Sequence, residues 1–377
     1  MNINQAKDKI QRDVLNAWRK NKYIGTAECA TGFGKTRCAI LAAVRFAVNA
    51  DYNYKILIIV PNNTLKHEWE KEFKKWKHSK VFKECVQVEC INTARKFKNQ
   101  KYDFVIADEI HNYIKGTINS KFFKNNKYDK ILGLSATIED NLIDFINGIA
   151  PICYTLSLYE AVELGLVSEF TVYNIPVELN DKERKDYNYL SSKIRIAWEN
   201  YGVHSWKNIS ARKEILYNAK SKMRLIKKIT ELFGKDDHGV IFSMTKDYSD
   251  KVANKLGDRC LPHHSGITKK NRVSFLKRFA DGRTKVKILS SAKTLDEGVN
   301  IPRLSYSLIA SNSSTVKQMN QRVGRCIRLG EDGKHAIIIR LYCKDTQEEK
   351  WIKTSQAKVN AVELKNLGEL TPLIQYK

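Results

Sequence analysis

The residues best suited to chemistry form a short glycine-rich stretch that ends in Gly34, Lys35 and Thr36 and leads into a segment with helical periodicity. Glycines let the backbone wrap around a phosphate, and the N–H groups that begin the following helix face the anion. In such a loop Lys35 reaches the β- and γ-phosphates of a nucleoside triphosphate, and the Thr36 hydroxyl binds Mg²⁺. The predicted nucleotide contacts in this loop are Thr31, Gly32, Phe33, Gly34, Lys35 and Thr36.

The strict form of this motif has glycine where Cys29 stands, so a chance turn is the alternative interpretation. An acidic pair argues against chance. The apolar segment Phe104–Ala107 predicts a buried strand, and Asp108 and Glu109 follow it directly. Asp108 can hold Mg²⁺, and Glu109 can polarise an attacking water molecule. A solvated Asp-Glu turn is the alternative, but the position of the pair, 73 residues after Lys35, argues against coincidence.

Two further groups of residues fit the same chemistry. The next predicted strand ends at Ser135, followed by Ala136 and Thr137, which are small residues suited to linking the γ-phosphate state to substrate grip. Arg325 and Arg328 are three residues apart, so on a helix they share a face and can both reach a phosphate. Arginines in this role stabilise the charge of phosphoryl transfer. A basic surface helix is the alternative.

Short apolar, β-branched segments alternate with helical patterns, which predicts parallel sheets covered by helices on both sides. The helical segment His67–Trp76 carries aromatic residues that we interpret as core contacts rather than as a base-stacking platform. The predicted strands are Lys55–Val60, Phe104–Ala107, Lys130–Leu134, Thr171–Leu179, Gly239–Ser243, Val286–Ser290, Tyr306–Ile309 and His335–Leu341.

The strand series is interrupted by a charged helical stretch. Asn180 and Glu183 have the form of a capping box that begins one helix, and a second helix is predicted to run from Ser210 to Phe233. We interpret this stretch as a helical connector between two α/β lobes.

Charge indicates an acidic partner. The chain has 66 Lys and Arg against 41 Asp and Glu, a net charge of +25. Nucleic acid is the commonest such partner, because neutralised phosphates release counterions. A soluble Lys-rich protein from an A/T-rich genome is the alternative.

The apolar runs are too short to span a membrane, and the first residues do not form a secretion signal. Eight scattered cysteines without metal-ligand spacing suit reduced thiols. We therefore expect a cytoplasmic protein without a membrane partner. The A/T-rich composition and small size also suggest a small bacterial genome or a phage, whose protein would act in the host cytoplasm.

The motifs, in order along nearly the whole chain, resemble those of the superfamily 2 DExH helicases. Lys35 and Thr36 match motif I, Asp108–His111 matches motif II, and Ser135–Thr137 matches motif III. Gln11 resembles the family's upstream glutamine, which reads adenine. The resemblance implies two RecA-like parallel-sheet lobes in tandem, with ATP and Mg²⁺ as cofactors. It also implies that His111, Ser135 and Thr137 couple the state of the bound nucleotide to the binding of nucleic acid.

The resemblance divides the chain into an N-terminal ATP-binding lobe over 1–165, a strand plus helical connector over 166–232 and a C-terminal lobe over 233–377. Other matching segments imply contacts with nucleic acid, mostly through its backbone. The residues so implied are Pro61, Asn62, Asn63, Thr93, Ser243, His264, Ser265, Gly266 and Ser291.

In the C-terminal lobe, Asp296–Pro302 resembles motif V, and the stretch from Gln318 to Arg328 resembles motif VI. The resemblance implies that Gly298 and Asn300 lie near the nucleotide. Two departures weaken or re-route contacts: Ala292 replaces a threonine of motif V, and Asn300 stands where an aspartate is usual. The residues that the resemblance assigns to catalysis are Lys35, Asp108, Glu109, Gln321, Arg325 and Arg328.

Within the superfamily, Leu158–Val167, Asp181–Leu190 and Leu295–Pro302 resemble the group of XPB-type translocases, UvsW-type helicases and type I and III restriction motors. This similarity implies an ATP-dependent DNA helicase or duplex translocase that remodels forks, junctions or repair intermediates. An RNA-dependent ATPase is an alternative, although DEIH in place of DEAD favours DNA. A motor or binding subunit of a larger repair, replication or restriction complex is another.

Overall fold

The computed structural model describes residues 3–30, 32–113, 118–292, 304–312, 335–356 and 360–375. The chain forms two compact units, Met1–Val167 and Ser168–Lys377. Each unit contains one sheet, and every strand pair in both sheets is parallel. In the described part of the chain, no helix is both long enough and apolar enough to cross a bilayer.

The first unit has a six-stranded sheet in the order β3-β2-β4-β5-β1-β6. Its strands are β1 (Ile24–Cys29), β2 (Ile56–Val60), β3 (Val86–Cys90), β4 (Lys101–Asp108), β5 (Lys127–Ser135) and β6 (Ile152–Leu156). The helices are α1 (Ile3–Lys20), α2 (Lys35–Asn49), α3 (Asn63–Lys75), α4 (Ser79–Cys85), α5 (Ile91–Ala94), α6 (Lys121–Asn125), α7 (Ile143–Asn147) and α8 (Leu158–Glu163). Short 3-10 turns cover Ile110–Asn112, Ile118–Ser120 and Asp140–Leu142.

Burial on both faces explains the apolar strands of this sheet. All five residues of β2 are buried, as are the last five of β4 and β5. On one side, Trp18 of α1 packs against Phe46 and Phe104, and its indole N–H donates to the carbonyl oxygen of Ile131 at 2.7 Å. Strands covered on both faces lose the polar alternation of half-exposed strands.

The second unit has a seven-stranded sheet in the order β13-β7-β12-β11-β8-β10-β9. Its strands are β7 (Phe170–Val177), β8 (Gly239–Ser243), β9 (Cys260–His264), β10 (Ile288–Ala292), β11 (Tyr306–Ile309), β12 (Ala336–Cys343) and β13 (Ala361–Glu363). The described helices are α9 (Asp181–Tyr201), α10 (Trp206–Tyr217), α11 (Lys220–Leu232), α12 (Lys246–Leu256), α13 (Lys269–Ala280), α14 (Gln347–Gln356) and α15 (Leu367–Gln375), with a 3-10 turn at Gly257–Arg259.

The predicted fold class is confirmed: two parallel α/β sheets follow one another along the chain. Gly239–Ser243 and Tyr306–Ile309 agree with the predicted strands at both ends, and the other predicted strands overlap observed ones. The sequence interpretation missed β1, β3, β6, β9 and β13.

The stretch predicted as a connector, 166–232, lies almost entirely within the second unit. β7 pairs with β12 from Phe170 to Val177 and also with β13, so it is an internal strand of the second sheet. The capping box of α9 is present as predicted: Asn180 accepts from the backbone of Glu183, and the Glu183 side chain accepts in return. The division between units falls after Val167, close to the predicted boundary at 165.

The prediction of one helix from Ser210 to Phe233 is wrong. α10 ends at Tyr217, Asn218 bonds back to Glu214, and Ala219 adopts ψ 128°, outside the helical region. α11 then begins at Lys220. The break brings the side chain of Lys222 into the core of the unit, where it is fully buried.

Lys222 forms a fully buried ion pair with Glu348 of α14, at 2.7 and 2.8 Å to its two carboxylate oxygens. The ammonium also donates to the carbonyl oxygen of Leu216, and the carboxylate accepts the backbone N–H groups of Asn312 and Cys343. Such a pair tolerates burial only because both groups are fully hydrogen-bonded. It joins α11 and α14 to the ends of β11 and β12.

Lys222→Met should lower the free energy of unfolding by about 3–5 kcal/mol, because it leaves the Glu348 carboxylate buried without its counter-ion. The exposed Lys228 on the same helix supplies the control, and Lys228→Met should change the free energy by less than about 0.5 kcal/mol. Urea denaturation measures both variants. Equal unfolding midpoints for them would contradict this account of the pair.

Candidate nucleotide and nucleic-acid sites

The carboxyl ends of neighbouring strands bring the predicted site of the first unit together. Cys29, Asp108 and Ser135 are the last residues of β1, β4 and β5. β5 lies between the other two, so the glycine-rich loop after β1 and the acidic pair after β4 are separated by two strand spacings, roughly 10 Å. In open α/β sheets this edge is the usual ligand site.

The glycine-rich loop turns directly into α2. Gly32 and Gly34 have φ values of 107° and 88°, which side chains rarely adopt. A Cβ on Gly34 would lie 2.8 Å from the amide nitrogen of Gln11, so a larger residue there would displace the Gln11 side chain. Lys35 begins α2, and its ammonium donates to the carbonyl oxygen of Cys29 at 3.2 Å. The ammonium therefore lies across the loop that the sequence assigns to phosphate.

The departure at Cys29 adds no charge to the loop. Cys29 is fully buried, and burial raises the pKa of its thiol to about 12, so it stays neutral beside a phosphate. Phe33 is also fully buried, so its side chain packs beneath the loop. Thr36 is half-buried in the first turn of α2.

Gln11 lies beneath the loop on α1. Its amide nitrogen donates to the carbonyl oxygen of Phe33 at 2.8 Å, which fixes the side chain. Its amide oxygen is buried and has no hydrogen-bond partner among the described residues. A buried acceptor without a partner is costly, and the exocyclic amine of adenine would satisfy it. This orphan acceptor fits the role that the resemblance implies for Gln11.

The acidic pair ends β4 in a strained turn. Glu109 has φ 52°, in the left-handed region, and its Oε2 atom is buried without a hydrogen-bond partner within the described ranges. Burial, reinforced by the Glu109 charge, raises the pKa of Asp108 to about 7, while Trp69 and Lys35 act in the opposite direction. A cation bound beside Asp108 would favour its ionised form. The pair thus fits a divalent metal and a polarised water molecule.

Trp69 is a site residue that the sequence interpretation missed. It is buried, as predicted for a core contact, but its indole N–H donates to Oδ2 of Asp108 at 2.9 Å. It lies on α3, whose first residue, Asn63, is also the last residue of the predicted nucleic-acid segment Pro61–Asn63. The helix therefore joins that segment directly to a predicted metal ligand. Only the helical spacing of Trp69 was visible in the sequence.

The predicted coupling residues form a hydrogen-bonded series. Nδ1 of His111 and Oγ of Ser135 are 2.6 Å apart, and Ser135 donates to the carbonyl oxygen of Thr137 at 3.0 Å. His111 also lies 3.6 Å from a carboxylate oxygen of Glu109. The turn after β4 is thereby bonded to the turn after β5. The structure brings all three predicted residues together, and their coupling role stays a prediction.

The predicted nucleic-acid residues of the first unit lie at the same edge of the sheet, after the two strands β2 and β3 at one end of the row. Pro61 to Asn63 follow β2, and Thr93 lies exposed on α5 after the neighbouring β3. The Asn62 side chain caps α3 by accepting from Leu65 at 3.1 Å. Asn63 accepts from the thiol of Cys90, which links the two segments. The two segments that carry these four residues are therefore neighbours at this edge of the sheet.

In the second unit the corresponding residues end three adjacent strands. Ser243 and His264 are both in register with Ala292, next to Ser291. The Ser243 hydroxyl donates to the carbonyl oxygen of Ser291 at 3.2 Å. The side chains of Ser243 and Ser291 are fully buried, so they hold the strand ends together rather than presenting hydroxyls to solvent.

His264 is likewise buried and supports the turn that follows it. Its Nδ1 accepts from the backbone of Gly266, while its Nε2 lies 2.8 Å from Asp250. Ser265 and Gly266 are exposed. Of this predicted motif, the exposed turn is the part accessible to a ligand.

Several predicted residues lie outside the described ranges. They are Thr31 of the loop, Gly298 and Asn300 of motif V, and Gln321, Arg325 and Arg328 of motif VI.

Two protein families match this chain, one in its N-terminal part and one in its C-terminal part. The family of the type III restriction enzyme res subunit matches residues 1–140, and the helicase conserved C-terminal domain matches residues 221–330. The DNA 3'-5' translocase XPB2 of Sulfurisphaera tokodaii is 24% identical over 390 residues, covering 91% of this chain and 84% of that protein. The ATP-dependent rRNA helicase RRP3 of Debaryomyces hansenii is 24% identical over 347 residues, covering 88% and 67%.

Solved structures share the fold. That of S. cerevisiae Dbp5 bound to RNA and ADP BeF3 has a TM-score of 0.63 with 16% identity, covering 98% of this chain and 93% of that one. The two sheets therefore correspond to tandem RecA-like lobes.

Trp69→Phe should remove the hydrogen bond to Asp108 while keeping an aromatic ring against Phe73. We expect the Mg²⁺ concentration needed for half-maximal binding of a fluorescent ATP analogue to rise about tenfold or more, as when a partner of a metal ligand is lost. Nucleotide affinity without Mg²⁺ should stay unchanged. Trp76→Phe, next to the end of the same helix, is the control, and an equal Mg²⁺ requirement in both variants would contradict the role of Trp69.

Proposed function

We propose that this chain, which belongs to the superfamily 2 helicases of the type III restriction and XPB group, uses ATP hydrolysis to move on DNA and remodel forks, junctions or repair intermediates. The families that match it imply an ATP-hydrolysing helicase or translocase. That the nucleic acid is DNA, and that the chain acts on forks, junctions or repair intermediates, is what we propose in addition.

One observation supports the proposal most strongly. The glycine-rich loop, the acidic pair and the His111–Ser135 bond occupy adjacent strand ends of one sheet, and the predicted nucleic-acid segments follow the next strands. A nucleotide site and a nucleic-acid surface on the same edge can influence each other through a few buried contacts. A motor needs such a connection, whereas a simple phosphatase does not.

Several predicted site residues of the first unit each have one role in this mechanism. Lys35 neutralises phosphate charge, Gln11 accepts from adenine, and Thr36 and Asp108 would hold Mg²⁺. The metal ion, when bound, neutralises charge that develops on the phosphate oxygens. Glu109 orients and polarises the attacking water molecule. Catalysis by such a site is mainly positioning and electrostatic stabilisation, which suits the rigid, buried turns after β4 and β5.

DNA is favoured over RNA by the relatives and by the motif. The DNA translocase XPB2 covers more of this chain, and is covered by it to a greater extent, than the rRNA helicase RRP3. The sequence Asp-Glu-Ile-His also departs from the RNA-helicase form of motif II. The net charge of +25 suits either polymer, because it acts on phosphates.

Two other functions are second candidates. RRP3 similarity and the shared fold of the RNA-bound Dbp5 favour an RNA-dependent ATPase. The match to a restriction-enzyme subunit favours a motor that acts inside a larger complex. We also propose that the protein acts inside the cell, as the scattered cysteines predict.

Steady-state ATPase assays distinguish these candidates. We expect turnover to rise at least tenfold with single-stranded, duplex or forked DNA, and less with RNA. Lys35→Ala should abolish hydrolysis because the phosphate charge is no longer neutralised, while salt-sensitive DNA binding remains.

Each contrary outcome has a separate meaning. Stimulation by RNA alone would overturn the DNA assignment. No stimulation by any polymer would favour the subunit hypothesis. Full turnover by Lys35→Ala would show that the glycine-rich loop is not the ATP site.

A second prediction concerns motif VI, which lies outside the described residues. Arg325→Ala should leave the affinity for an ATP analogue within about twofold and reduce turnover by about a thousandfold or more, because arginine stabilises the transition state rather than bound ATP. Equilibrium binding and single-turnover hydrolysis measure the two effects. Arg325→Lys should recover little, because a lysine lacks the planar fork. Normal turnover in Arg325→Ala would remove Arg325 from the proposed site.

A further inference from the structure

An exposed aromatic cluster lies at the end of the helical pair α9 and α10 in the second unit. The cluster consists of Trp198, His204 and Trp206. Trp198 is 55% exposed and Trp206 is 69% exposed, which is unusual for the largest apolar side chain. Neither the nucleotide site nor the predicted nucleic-acid segments include these residues.

The three rings form a short stack. The rings of Trp198 and His204 are 4.8 Å apart with an interplanar angle of 23°, and those of His204 and Trp206 are 5.4 Å apart at 48°. The loop between the helices holds this arrangement. Gly202 ends α9 in the left-handed conformation with its N–H bonded to Trp198, and the N–H of Trp206 bonds to the carbonyl oxygen of His204.

The cluster stands away from the core of its unit. α9 has 21 residues, about 31 Å of helix, yet Tyr187 near its start is its one buried residue. Beyond Tyr187, α9 packs mainly against α10. A Cβ built on Gly202 would meet no atom within 4 Å, so the tip is open to solvent. Ring faces at this tip are therefore accessible to a flat ligand.

Charge around the cluster indicates the chemistry of that ligand. Arg195 and Lys207 are exposed in the same stretch of chain as the rings, against one acidic residue, Glu199, whereas Lys193 lies over the ring of Tyr189, outside the cluster. The aliphatic side chains of Ile196 and Val203 are also exposed in this stretch, but rings that stack on one another among cations suit nucleobases joined by phosphates.

We propose that Trp198, His204 and Trp206 form a stacking site for unpaired nucleobases of a single strand, at a junction or in a displaced strand. The proposal rests on the proposed function, and deepens it by assigning a site for single-stranded nucleic acid to the second unit. The cationic side chains contact the strand's phosphates, and the tryptophan faces take its bases. Because every base has an aromatic face, this site binds without sequence preference.

Affinity measurements on the full chain test the site. Fluorescence anisotropy would follow a labelled 20-nucleotide thymidine strand, its uridine RNA counterpart and a blunt DNA duplex. Base stacking on one aromatic side chain is worth roughly 5- to 150-fold in affinity, so Trp198→Ala with Trp206→Ala should weaken single-strand binding by at least that factor. Duplex binding should change by less than about twofold, because paired bases have no free face.

Two control variants separate stacking from other effects. Trp198→Phe with Trp206→Phe keeps aromatic faces and should retain most of the affinity. Tyr189→Ala removes another exposed ring of α9, outside the cluster, and should have no effect. The dependence of affinity on salt should be unchanged in the alanine pair, because stacking releases no counterions.

The outcomes are distinguishable from failure of the proposed function. If wild type binds DNA and its ATPase is stimulated, but the alanine pair keeps full single-strand affinity, the stacking site alone is wrong. An equal loss on duplex and single strand would also overturn it. A loss only with the RNA strand would assign the site to RNA. If wild type binds no nucleic acid, both proposals fail together.

Discussion

One constraint organises the first unit: in a parallel sheet, every strand ends at the same edge. Because β5 separates β1 from β4, the glycine-rich loop and the acidic pair flank Ser135, and the segments after β2 and β3 continue the same row. Lys35 and Asp108, which are far apart in the sequence, therefore lie near each other at this edge of the sheet. Chemistry at this edge depends on strands that are buried on both faces, since a shift of one strand would move its terminal residue out of the row.

Buried polar contacts convert this row into a connected site. The indole of Trp69 bonds Asp108 to the helix that follows the predicted nucleic-acid segment, and His111 bonds the turn after β4 to Ser135. Each contact lies in a low-dielectric environment, where a hydrogen bond is strong and its loss is costly. The raised pKa of Asp108 has the same origin, because burial penalises its charge until a cation is present. The buried amide oxygen of Gln11, which has no hydrogen-bond partner among the described residues, marks where a ligand would complete the site.

The sequence predicted the fold class, the loop and the acidic pair, because apolar runs and glycine spacing are local signals. β1 was not predicted because it contains polar residues whose hydrogen-bond partners lie far along the chain. The Thr26 hydroxyl donates to the carbonyl oxygen of Ala150 at 2.6 Å, and Glu28 accepts the N–H of Ile138. The helix break at Ala219 escaped because apolar spacing continues across it, and the burial of Lys222 depends on a distant partner, Glu348. The role of Trp69 likewise depends on a contact with a residue far along the chain. The predicted roles of His264 and Ser291 came from the family resemblance, which did not reveal that their side chains are buried.

The central claim is that nucleotide and nucleic-acid binding are coupled through the strand ends of the first unit. Its most direct test measures the affinity of a non-hydrolysable ATP analogue with and without saturating DNA, and the affinity for DNA with and without the analogue. Linkage requires the same factor in both directions, and about 5- to 150-fold is typical of coupled sites. We expect such a factor in wild type and a factor near one in Ser135→Ala, with each separate affinity preserved. Independent affinities in wild type would contradict the account.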